Sequence, residues 1–362
     1  MKIIQSCFVV FFCFLFLPHT VILAQKKTFT VVLDAGHGGK DPGKVAYRSK
    51  YKEKDIALNI VLRVGAILQK QKNVKVIYTR TKDVFVDLWE RGRIANKADA
   101  DLFVSVHCNA HDSQASGSET WILGLHANRR NFEVAKAENE VILLENNYKE
   151  KYKGFNPNSP ESVIGLTLEQ EENLDKSISL ASRVQENFKG SLNRVDRGVK
   201  QAGFVVLHQT YMPSILIETG FLTNKKEGAY LYSKKGKSEM STSISKAIIK
   251  HIEETRLNRV TLALHTDADS KENAGGYVFK VQIASGKTKI KTASYNFKGL
   301  NGVACVSIGN YYKYYYGNTK NYQTAKLNLQ KAKKQGYTSA FLTAFKGGKK
   351  VLAYLKDSKP RQ

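Results

Sequence analysis

The sequence is poor in the residues that build small cross-linked or fibrous scaffolds. Its 362 residues include only four cysteines and six prolines. Cys7 and Cys13 fall in the first two dozen residues, which leaves Cys108 and Cys305 in the body of the chain. Two thiols in separate segments exclude a disulfide framework, so core packing, helped by metal, must hold the chain together. With 42% hydrophobic and 25% charged residues, collagen-like and wholly disordered chains are excluded as well. After residue 24 there is no apolar run of the roughly 20 residues that a membrane span needs. Acidic residues are also scarce, 32 against 57 Lys and Arg, for a net charge of +25. The shortage is concentrated at one end. From Tyr277 to Gln362 the only acidic residue is Asp357, against 17 basic ones, so this quarter carries +16.

What is present begins with an address. Lys2 precedes an apolar run from Cys7 to Leu17, Pro18 breaks it, and Val21-Ile22-Leu23-Ala24 offers a cleavage site. Residues 1–24 read as a secretory signal, which places the mature chain in the periplasm or cell envelope. A strongly basic segment seeks a polyanion or an anionic surface. Behind an export signal that partner is an envelope polymer or lipid headgroup, not nucleic acid.

Residues 26–256 read as one α/β unit. Short apolar strands at Phe29–Asp34, Val74–Thr79 and Asp101–His107 alternate with helical spacing at Asp55–Gln69 and Leu88–Asn96. Val205–Leu207 and Ser214–Glu218 read as later strands and Met240–Glu254 as a closing helix. Such alternation implies a mostly parallel sheet with helices on both faces. A Glu-rich helical stretch, about 128–190, reads as an insertion over one end of the sheet. Residues 257–276, with Asn, Asp, Ser and Gly275-Gly276, read as a linker. Residues 277–357 read as a small basic α+β domain.

Four polar residues stand at strand ends or a helix start. His37 follows the first strand in a loop rich in glycine, Glu53 precedes a helix, and His107 and Glu218 end apolar strands. In an open parallel sheet, ligands collect at the carboxyl ends of the strands. Two imidazoles and one carboxylate form the donor set of a catalytic zinc site, and a second carboxylate can move the proton of the attacking water. The remaining six histidines, His111 among them, have no assigned role.

The segments Leu33-Asp34-Ala35-Gly36-His37-Gly38-Gly39, Glu53-Lys54-Asp55, Phe103-Val104-Ser105-Val106-His107-Cys108-Asn109-Ala110 and Met212–Asn224 occur in that order. In this the chain resembles the zinc-dependent N-acetylmuramoyl-L-alanine amidases of cell-wall amidase family 3. The resemblance implies Zn2+ bound by His37, Glu53 and His107, with Glu218 as the catalytic carboxylate. It implies hydrolysis of the amide between N-acetylmuramic acid and L-alanine in peptidoglycan, in daughter-cell separation or wall turnover. Cys108 stands where the family has a small residue, and as the strand neighbour of His107 it is expected on the opposite face.

Related amidases cover the metal with a helix from the insertion until an activator protein displaces it. Glu138, Glu140 and Glu145 are the candidates here for a self-inhibitory carboxylate. The C-terminal segments Tyr277–Ser285 and Gly336–Phe341 resemble SPOR domains, which bind peptidoglycan, although Gly309–Gly317 departs from that pattern. Two other readings remain open: a zinc wall endopeptidase or deacetylase, and a non-catalytic wall-binding or activator protein.

Overall fold

The computed structural model describes residues 28–46, 51–124, 129–152, 155–156, 171–267, 277–286, 288–308, 311–337 and 340–351. The expected signal segment and residues 268–276 lie outside these. Six strands form the main sheet: β1 (Phe29–Ala35), β2 (Val74–Tyr78), β3 (Leu102–Asn109), β4 (Ser118–Leu123), β5 (Asp196–Ala202) and β6 (Ser214–Phe221). Their order is β2-β1-β3-β6-β4-β5. β2, β1, β3 and β6 run parallel to one another, β4 is antiparallel to β6, and β5 is parallel to β4. The sheet is therefore mostly parallel, as its alternating pattern predicts.

Two apolar layers sandwich this sheet. On one face, Val31, Leu33, Val104, Val106, Ile215 and Ile217 meet helices α1 (Glu53–Leu68), α5 (Glu171–Leu192) and α8 (Lys234–Asp267). On the other, Val32, Phe103, Trp121 and Leu216 meet α2 (Leu88–Lys97), α6 (Val205–His208) and the segment that starts with α3 (Arg129–Asn139). That segment continues through a 3-10 turn, Glu140–Leu144, into α4 (Tyr148–Lys151). α7 (Lys225–Tyr232) is N-capped by Asn224, whose side chain accepts from Lys226 N and Glu227 N.

Several expectations are corrected. Val205–Leu207 is helical rather than extended: the Leu207 and His208 amides bond back to Phe204 O, and all three side chains are buried in the second layer. A three-residue apolar run carries no period, so only tertiary packing decides its state. α5 is not part of an overlying insertion. Leu180, Ala181, Val184 and Phe188 are fully buried against the sheet, so among the described residues of this stretch only the segment 129–152 lies over the sheet's end. β4 and β5 were not expected. β5 reads Asp-Arg-Gly-Val-Lys-Gln-Ala and shows little apolar alternation because it is a sheet edge. The first part of the expected linker, through Asp267, continues α8, since Leu257 to Asp267 contain no Gly or Pro to stop it.

The C-terminal sheet is antiparallel, with order β11-β10-β7-β9-β8, built from β7 (Tyr277–Gly286), β8 (Val303–Ile308), β9 (Tyr311–Thr319), β10 (Phe341–Lys346) and β11 (Lys349–Val351). α9 (Tyr322–Lys334) packs on one face. Tyr314 and Tyr316 enter that core, whereas Tyr315 takes the other face and meets Phe345 edge-on at 5.5 Å. The tyrosine run thus supplies both faces of one strand, as the period of two requires.

Candidate metal centre and catalytic cleft

β1 delivers the chain into a left-handed turn at His37 (φ 59°). Two buried arginines pin that turn by its carbonyls. Arg80 donates to Ala35 O and Gly36 O, and Arg91 donates to Ala35 O and His37 O. Arg91 also binds Asp34 Oδ1 at 2.7 Å, and Thr79 and Ser105 donate to the same carboxylate. Burial opposes the charge of Asp34, but Arg91 and the two hydroxyls overcome it and hold its carboxyl below the usual range. Two glycines are sterically required. A Cβ on Gly36 would lie 2.4 Å from the His107 ring, and one on Gly43 (φ +64°) 2.6 Å from His37 and 2.7 Å from Glu53 Oε2.

The structure brings together His37, Glu53, His107 and Glu138, all buried, with one donor atom from each within 4.8 Å of the others. Glu53 Oε1 is 3.1 Å from both His37 Nε2 and His107 Nδ1. Glu138 Oε2 is 3.2 and 3.1 Å from the same nitrogens. The edge of a tetrahedron with zinc-like bonds of 2.0–2.1 Å is about 3.3 Å, so the spacing suits one small cation. Asp41 Oδ2 sits 2.7 Å from His37 Nδ1 and turns the other nitrogen, Nε2, toward the cluster. The Cys108 and Lys44 amides donate to Glu53.

The electrostatics point the same way. Burial disfavours charge on both imidazoles. Glu53 and Glu138 outweigh it, holding His37 well above its ordinary value and His107 at about 10. Burial likewise works against the Glu53 carboxylate, yet His37 and its hydrogen bonds bring it to about 2. Buried His37 Nε2, Glu138 Oε2 and Glu218 Oε2 have no hydrogen-bond partner among the described residues. A pocket of two carboxylates and two imidazoles with orphaned atoms is one that a divalent cation would complete.

Glu218 lies outside the group of four but beside it. It pairs in register with His107 across β3 and β6, so both side chains leave the same sheet face. Burial pushes its carboxyl well above the ordinary value, and the charges of Glu138 and Glu53 push it further. Its carboxylate therefore holds a proton more firmly than a free carboxylate would. Cys108, one residue from His107, lies on the opposite face within the first core layer, with Sγ 3.3 Å from Thr219 Oγ1. His111 is exposed and interacts with Ser113, not with the cluster.

The three candidate inhibitory carboxylates part company. Glu138, near the end of α3, enters the cluster and faces Lys44 Nζ at 3.5 Å. Glu140 is half exposed beside Lys136. Glu145 is buried elsewhere: it accepts from Leu88 N at 2.7 Å and from Tyr152 OH at 3.0 Å, while Tyr152 OH accepts from Trp89 N at 2.9 Å. Asp87 makes no side-chain cap, so Glu145 and Tyr152 satisfy the first amides of α2 and fasten the overlying segment there.

Beyond Glu138 a cleft of about 680 Å³ opens, lined in part by Lys44, Asn109, His111, Arg130 and Phe221. The mostly parallel sheet thus carries a buried His-Glu-His-Glu group that could hold a metal ion, with the Glu218 carboxyl beside it. Residues 31–250 match the family model for N-acetylmuramoyl-L-alanine amidase, and the chain belongs to that family. It is 33% identical over 225 residues to the N-acetylmuramoyl-L-alanine amidase AmiC of Escherichia coli O6:H1, a match covering 61% of this chain and 52% of AmiC. It is 30% identical to AmiA of Escherichia coli K12, covering 61% of this chain and 75% of AmiA. The matched region thus spans about half of one relative and three quarters of the other. A crystal structure of an N-acetylmuramoyl-L-alanine amidase from Clostridium difficile 630 is 28% identical, covering 63% of this chain and 98% of that one, with a TM-score of 0.48.

Proposed function

We propose that the chain is an exported, zinc-dependent enzyme that hydrolyses the amide between N-acetylmuramic acid and L-alanine in peptidoglycan. The observation that carries this reading is the convergence of His37, Glu53 and His107 on one small volume, with the orphaned Glu218 carboxyl one register position away. Two imidazoles and hard carboxylate oxygens suit zinc among the divalent ions. Bound there, the ion would polarise the scissile carbonyl and acidify water. Glu218 takes the proton of the attacking water as the new C–O bond forms, and returns it to the L-alanine nitrogen as the C–N bond breaks. Burial raises the affinity of its carboxylate for that proton. Asp41 and the Arg91–Asp34 pair hold His37 in place throughout.

In the same reading, Glu138 keeps the centre closed. Its carboxylate takes up the position among the imidazoles that substrate and water need, and the clasp of Glu145 and Tyr152 on α2 fastens the segment carrying it. An activator protein that withdraws this segment would start wall cleavage. The basic segment 277–357, SPOR-like in its sequence, would tether the enzyme to peptidoglycan, and residues 1–24 would direct export.

Digestion of purified wall by the zinc-loaded chain, read by mass spectrometry, tests the proposal. The expected products are stem peptides with a free L-alanine amine, lost on adding a chelator and reduced about 10²–10⁴-fold in Glu218→Gln. Release of acetate, or cleavage within the stem peptides, would replace this reading with a deacetylase or endopeptidase.

A further inference from the structure

A second charged cluster lies one strand beyond Glu218. Glu119 on β4 pairs in register with Glu218 on β6, and its side chain is 0% exposed. Asn109 Nδ2 donates to it at 2.6 Å, Arg197 Nε at 3.1 Å, and Lys200 Nζ also donates. Arg130 Nη2 stands 3.8 Å away. Three cations thus surround one carboxylate. One partner is enough to neutralise a buried acid, so the other two are surplus. Their heads are not sealed in: the side chains of Arg197 and Lys200 are 21% and 20% exposed, and that of Arg130 45%. Crowding is already felt, because burial and the neighbouring Arg130 and Arg197 together lower the pKa of Lys200. The cluster abuts the cleft. Asn109, Arg130 and Phe221 line it, and the Arg197 guanidinium lies 4.9 Å over the Phe221 ring.

We propose that Arg197 and Lys200, positioned by Glu119, form an anion subsite that recognises a carboxylate of the stem peptide two residues past the scissile bond. The inference rests on the amidase reading above. Around the muramyl amide, the glycan side is uncharged and only the peptide brings free carboxylates. Reach agrees: two extended residues span about 7 Å, and neighbouring strands are about 4.8 Å apart, so β4 and β5 lie about 5 and 10 Å from Glu218. A backbone carboxylate on the second residue of the stem falls within that interval. The Arg197 and Lys200 heads also lie 4.9 and 5.3 Å over the Phe221 and Trp121 rings, a placement that favours a cation.

The probes are N-acetylmuramyl-L-alanyl-D-glutamate with its γ-carboxyl capped as the methylamide, and the same compound with its α-carboxylate also converted to the amide. With the full zinc-loaded chain, and with Glu138→Ala as an open-site parent, kcat/KM should favour the free acid about tenfold. Arg197→Met and Lys200→Met should each remove that preference by raising KM for the acid about tenfold, with kcat within about twofold and the amide form unaffected. Lys200→Arg should restore it. Calorimetric titration of the Glu218→Gln chain should show the same ratio in Kd without turnover. Equal losses on both compounds would reduce the cluster to a structural role, and an unmodified chain indifferent to the carboxylate would overturn the subsite. Cleavage of neither compound by any parent would instead sink the amidase reading beneath it.

Discussion

Replacing Glu138 with alanine tests the proposal that this residue keeps the centre closed. Its Oε2 sits 3.1–3.2 Å from two imidazoles and its Oε1 3.5 Å from Lys44. Burial opposes its charge, yet Lys44 and the two histidines hold its carboxyl well below the ordinary range. Removing one partner of a buried ionic cluster changes its balance by about 3–5 kcal/mol. If that energy separates closed from open, the open fraction of the unmodified chain is about 10⁻²–10⁻⁴. Glu138→Ala should then raise basal wall cleavage at least about a hundredfold in the absence of any partner protein. The assay is dye release from labelled peptidoglycan, with zinc measured by atomic absorption so that loss of metal is seen separately. His37, Glu53 and His107 remain, so zinc content should stay at one per chain. Basal activity that stays flat in a variant with full zinc content would refute self-inhibition by this residue.

Two other outcomes follow from the geometry. Tyr152→Phe deletes the hydroxyl that joins Glu145 to Trp89 N, at a cost of about 1–3 kcal/mol, and should raise basal cleavage about tenfold; Glu150→Gln, exposed on the same segment, should leave it unchanged. A Tyr152→Phe chain no more active than the parent would mean that the clasp does not govern opening. His251, buried in α8, titrates at about 4 because burial first, then Arg183 and Lys176, disfavour its charge. Its unfolded value is about 6.5, so the unfolded chain binds the extra proton between these limits. Stability should therefore be full above pH 6.5 and fall by about 3 kcal/mol as pH drops toward 4. The melting temperature of His251→Gln should be flatter across that window, and an unchanged slope would remove His251 as the cause.

How far the sequence could be read depended on whether a signal was local. His37 and His107 stand at the ends of apolar runs, and Glu53 at the start of a helical period, so each was visible as a residue at an element boundary. The opposite placement of Cys108 followed from strand alternation alone. β5 was not legible, because an edge strand of Asp, Arg, Gly, Lys and Gln owes its state to pairing with β4. α5 looked like surface helix because its apolar stripe does not say which layer will receive it.

The sequence by itself determined the chemistry on offer: a donor set of His37, Glu53 and His107, the carboxyl of Glu218, and a basic C-terminal quarter. Each of these is a property of residue type and of position within one element. Only the tertiary structure decided which glutamate enters the cluster. Glu138 lies in α3 and Glu140 opens the 3-10 turn that follows it, and one turns inward while the other turns outward. It alone set Arg91 under His37, and Arg197 and Lys200 around Glu119. Those partners are separated by 54, 78 and 81 positions in the chain, and no local period records a contact made by folding at such a distance.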